Sequence, residues 1–143
     1  MSLFYIHLFS VLVAISITGN CSEHYDIVSN LIKFDFQPSN SEPNRKCFLR
    51  ITSPEDRSVL IKFESFEIPA TQDCRDASLQ LHDGLDTTAP KIGDKLCGNT
   101  LKPDVESSGN NLLIHIELNK AENVAKFDIR YETTSKFEAI CYQ

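Results

Sequence analysis

"SSGNNLLIHIEL", Ser107 to Leu118, holds a turn and then a strand. Glycine and asparagine tolerate the backbone conformations that chain reversal needs, so its first half turns. Its second half alternates: Leu112, Ile114, Ile116 and Leu118 share one face, with His115 and Glu117 on the other. Successive strand side chains point to opposite sides. One face therefore belongs to a core, and His115 turns away from it.

The pattern recurs along the chain. Ile32, Phe34 and Phe36 alternate in "IKFDF", and Cys47, Leu49 and Ile51 in "CFLRI". "VLIKF" sets Val59, Ile61 and Phe63 against Leu60, "SLQLH" supplies Leu79 and Leu81, and "KFDIRY" supplies Phe127, Ile129 and Tyr131. Aromatic and β-branched residues dominate these runs, which favours strands. Between them lie turns: "PSNSEPN" (Pro38 to Asn44), "TSPED" (Thr52 to Asp56) and Asp83-Gly84. At the last, glycine is expected to supply a positive φ for a hairpin. No stretch keeps a helical period, and no linker or internal repeat divides the chain. Short strands at this spacing predict an all-β fold, an antiparallel β-sandwich.

The 143 residues suit one domain. They begin "MSLFYIHLFSVLVAISITGN", a run without Lys, Arg, Asp or Glu. It is too short and too poorly flanked for a membrane span, and reads as a secretory leader over residues 1–20, cleaved after Ser16 or Gly19. No second apolar run follows, so the expectation is a secreted, extracellular protein with no transmembrane anchor. The net charge of −6 argues against a nucleic-acid partner. Behind a leader, the five cysteines Cys21, Cys47, Cys74, Cys97 and Cys141 read as structural disulfides with one left over. Arithmetic alone selects no pairing.

In order and spacing, these features resemble a CUB domain over residues 21–131. Cys21 and Cys47 stand 26 apart, and Cys47 opens "CFLRI". "FESF" (Phe63 to Phe66) follows; Cys74 precedes Asp83-Gly84 by nine residues, and Cys97-Gly98 comes next. "SSGN" then leads an apolar strand, and Phe127 to Tyr131 ends the pattern. The resemblance implies two packed antiparallel sheets of jelly-roll type and disulfides Cys21–Cys47 and Cys74–Cys97. Each bridge would close a loop of about 25 residues, worth about 3 kcal/mol in the chain-entropy model. Residues 132–143 form an extension carrying Cys141, expected either free or bridged to a second copy in a covalent homodimer.

Many CUB domains hold calcium at one end of the sandwich, and calcium demands several oxygen ligands. The family's three acidic positions fall here on Pro69, Ala77 and Asn119, none of which carries a carboxylate. Asp76 and Glu67 lie nearby. In a strand, however, an odd shift moves a side chain to the opposite face, so Asp76 does not take over the role of Ala77. The resemblance therefore implies a domain without bound metal or cofactor.

His82-Asp83 is the one pairing that suggests acid–base chemistry, but it lacks a nucleophile. Asp83 is expected to serve its own turn and His82 to be structural or solvated. His82 and His115 lie on different strands; two histidines do not define a metal centre. No hydrolase, zincin or phosphate-loop motif occurs. Asn20-Cys21-Ser22 fits a glycosylation sequon formally, but a bridged cysteine at the cleavage point leaves little room for a glycan. The expectation is a non-enzymatic extracellular binding module for protein, carbohydrate or phospholipid, acting through loops at the sandwich ends. Similarity to gland-secretion CUB proteins leaves two alternatives: a venom or salivary toxin component, and a structural or carrier protein of a body fluid.

Overall fold

The alternating runs become strands, each burying one face. The structure is a computed structural model describing residues 2–8, 11–21, 24–37 and 42–135, with side chains from residue 13 onward. One sheet has the order β1 (Ser2–Leu8), β2 (Val11–Gly19), β5 (Arg45–Thr52), β10 (Asn111–Leu118), β7 (Ala77–His82), β8 (Lys91–Leu96). The facing sheet has the order β3 (Tyr25–Val28), β4 (Leu31–Phe36), β11 (Ala125–Ser135), β6 (Arg57–Glu67), β9 (Val105–Glu106). All pairings are antiparallel among these strands, so the predicted β-sandwich is observed.

Between the sheets lie Leu49, Ile51, Leu79, Ile114 and Ile116 from one side and Ile32, Phe34, Ile61, Phe127 and Ile129 from the other, all fully buried. Phe34 stacks on Phe127 with centroids 4.8 Å apart. Each such side chain contributes about 1.5–3 kcal/mol relative to exposure, more than an exposed ion pair typically does. Tyr131 is buried too; its hydroxyl donates to the Ser29 carbonyl at 3.1 Å, and burial pushes its pKa up to about 12.

"FESF" places two phenylalanines three apart, a spacing that breaks strand alternation. Both are nonetheless inward. Asp128 pairs with Ser65 and Ile129 with Phe63, so Glu64 is the extra residue of a β-bulge that returns Phe66 to the core. The disulfides Cys21–Cys47 and Cys74–Cys97 are both formed, with Cα separations of 5.4 and 5.6 Å.

The structure departs from the sequence reading in three places. Three short strands, β3, β8 and β9, escaped it. Residues Asp83–Pro90 make a broad connection from β7 to β8 instead of a tight hairpin. Gly84 is required there not for positive φ but because Ala89 Cβ would lie 2.5 Å from any Cβ it carried. Third, the apolar start forms a hairpin on the sheet edge. β2 pairs with β5 from Ala14–Thr52 to Gly19–Cys47, and Val13, Ile15 and Ile17 are fully buried. Gly19 has a φ of +100°, and a Cβ there would collide with the Lys46 carbonyl. This pairing belongs to the full-length chain; cleavage after Gly19 would remove it, and cleavage after Ser16 would leave only the pairs from Ile17–Leu49 to Gly19–Cys47.

Candidate functional site

Polar side chains gather in two regions: the end of the sandwich where the acidic positions of calcium-binding CUB domains fall, and the outer face of the six-stranded sheet.

At the end, Ala77 is fully buried in the core cluster and pairs with Leu118, which brings Asn119 alongside. Asn119 donates its backbone N–H to the Asp76 carbonyl at 2.8 Å and its side-chain amide to the Arg75 carbonyl at 2.6 Å. The Asp76 carboxylate faces Lys120 Nζ at 3.1 Å. Pro69 follows the bridge between Ile68 and Gly98 and borders a separate hollow of about 270 Å³ with Glu67, Asn99 and Val124. The structure thus brings Ala77 and Asn119 together and leaves Pro69 in its own hollow. A lysine and an amide N–H point at the oxygens there, where a cation would need those oxygens free.

On the outer sheet face, register sets side chains in rows. Lys46, Glu117 and Ser78 make one row; Phe48, His115 and Gln80 make the next; Arg50, Leu113, His82 and Lys91 make the third. His115 therefore does turn away from Ile114 and Ile116. Its ring stacks on Phe48, with centroids 4.7 Å apart and planes 11° from parallel. Arg50 covers Phe48 at 5.5 Å and ties down the β7–β8 loop by donating to the Leu85 carbonyl at 2.7 Å.

His82 is buried, at 3% exposure, with Nδ1 3.0 Å from the Ala89 carbonyl. Its role is structural, not solvated. Asp83 departs from expectation: it serves a different turn, accepting from the Ser108 N–H at 2.9 Å and the Ser108 hydroxyl at 2.5 Å. The two imidazoles the sequence placed on separate strands are neighbours, with ring centroids 6.3 Å apart. His115 Nε2 is buried without a hydrogen-bond partner, 3.5 Å from the Glu117 carboxylate. Burial lowers the His115 pKa; Glu117 opposes that shift, and His82, Lys46 and Lys95 add to it. Among the described residues no three His, Cys, Asp or Glu side chains gather as a metal centre. Cys141 lies outside the described residues.

Residues 21–131 match the CUB domain family. The chain belongs to the CUB domain family. This CUB domain is 30% identical over 94 residues to a "Bone morphogenetic protein 1 homolog" of Strongylocentrotus purpuratus, covering 66% of this chain and 15% of that protein. It is 26% identical over 115 residues to "Cubilin" of Sus scrofa, covering 80% of this chain and 3% of that protein. The chain thus spans a small part of these relatives. The solved "CUB1-EGF-CUB2 domain of HUMAN MASP-1/3" shares the fold, with a TM-score of 0.55 at 14% identity over 87% of this chain and 43% of that one. CUB domains are non-catalytic modules of an extracellular binding family. Among the described residues no helix is long and apolar enough to cross a membrane.

Proposed function

We propose that this chain is a secreted, non-enzymatic binding protein built on a single CUB domain, and that its sandwich end works without calcium. The observation that carries the second claim is the Asn119 amide, which donates to Arg75 where calcium-binding relatives present a carboxylate. Beside it the Asp76 carboxylate is occupied by Lys120. Residues 1–20 act as the leader and residues 21–131 as the binding domain. The partner is an extracellular protein, carbohydrate or phospholipid that meets loops on a rigid sandwich.

Expression in secreting eukaryotic cells tests this reading. The protein is expected in the medium with an N-terminus at Ile17 or Asn20, and its capture of extracellular partners is expected to survive EDTA. Retention inside the cell with an intact N-terminus would contradict secretion, and capture abolished by EDTA would contradict calcium independence. Cys141 is proposed to bridge two copies; a monomer on a non-reducing gel with one titratable thiol would contradict that.

A further inference from the structure

We infer that the hollow on the outer face of the six-stranded sheet binds an acidic sugar, meaning a hydroxylated ring that carries a carboxylate. The hollow holds about 370 Å³, room for a ligand of that size. Its floor is polar. Ser78, Gln80 and His82 are 3–5% exposed although they point away from the core, and His115 stands beside them. Gln80 already donates to the Leu81 and Gly93 carbonyls at 3.0 and 3.2 Å, so the floor is held in place before any ligand arrives.

Two observations point to a ligand. The first is His115, which lines this hollow and whose Nε2 is buried without a hydrogen-bond partner, 3.5 Å from the Glu117 carboxylate. Buried polar atoms in native proteins are nearly always satisfied, and a ligand hydroxyl would satisfy this one. The second is charge. Lys46, Lys91 and Lys95 border the hollow against the single carboxylate of Glu117, in a protein whose net charge is −6. Lysine ammonium groups around a partly enclosed polar surface favour an anion. The Ser78 hydroxyl and the His115 imidazole match ring hydroxyls, and Gln80, its amide hydrogens already committed, offers its carbonyl oxygen. This inference is independent of the leader and of the calcium-free end.

The test is a titration of the full secreted protein with sodium glucuronate, glucose and N-acetylglutamate at constant ionic strength. NMR of the histidine rings is the readout. Glucuronate is expected to shift the His82 and His115 ring signals saturably, with glucose and N-acetylglutamate weaker by about tenfold or more. The double substitution Lys91→Ala, Lys95→Ala is expected to weaken glucuronate by about tenfold while leaving the thermal midpoint unchanged. Equal binding of glucose would remove the role of the charge. Equal binding of N-acetylglutamate would reassign the hollow to acidic peptides. Histidine signals that stay still at tens of millimolar glucuronate would overturn the site altogether.

Discussion

The two polar regions of this CUB domain differ in what they leave unsatisfied. At the sandwich end three of the groups named above are used internally: Asn119 bonds to Arg75, Asp76 pairs with Lys120, and Ala77 is packed in the core. On the outer sheet face a buried imidazole nitrogen has no hydrogen-bond partner, and three lysines border a hollow with one carboxylate. Binding capacity follows unsatisfied groups, because a satisfied one must break a bond before it makes another. The proposed calcium independence of the end and the proposed binding at the outer face both rest on this difference.

The harshest way to break this contrast is Ala77→Asp, which restores a family carboxylate. It places a charge at a fully buried position and is expected to cost about 3 kcal/mol or more in urea unfolding. Recovery of that loss in calcium would show that the end retains a latent metal site. Asn119→Ala is milder. It removes the bond to the Arg75 carbonyl and is expected to cost about 1 kcal/mol.

On the other face, His115→Phe should stabilise by about 1 kcal/mol, since Phe keeps the stack on Phe48 and deletes an unsatisfied nitrogen. That gain depends on pH. Burial lowers the folded-state pKa of His115 below its ordinary 6.5, so the unfolded chain binds a proton first. Wild-type stability from this group is full above the ordinary value and is lost as pH falls through the window down to the lowered one. The advantage of the Phe variant should therefore grow on acidification, and a constant advantage from about pH 8 to about pH 5 would contradict neutral His115 in the fold. Smallest of all, Lys120→Ala breaks an ion pair whose lysine is 54% exposed and should cost about 0.5 kcal/mol or less.

Much of the sandwich is legible from alternation alone, because core-facing and outward residues differ in kind at Leu112–Leu118. Register is not. Nothing local says that Phe48 stands opposite His115, or that Gln80 stands on its other side; the hollow exists only after three strands align. His82 is buried because the Asp83–Pro90 connection folds back and its Ala89 carbonyl meets the ring, an outcome of loop shape that residue type does not encode. At the end, Pro69, Ala77 and Asn119 stand out only through the family order, whereas the Asp76–Lys120 pair bridges residues far apart in sequence. β2 is hidden for another reason: Val13, Ile15 and Ile17 alternate, but with Ala14 and Ser16 inside an apolar run that suits a leader equally well.

We propose that the sandwich end of this CUB domain does without calcium. Thermal unfolding of the secreted protein in EDTA, in millimolar calcium and in millimolar magnesium tests it most directly, because any ion that binds only the folded state must raise the midpoint. Three superimposable curves are expected. A rise of several degrees in calcium, absent in magnesium, would contradict it.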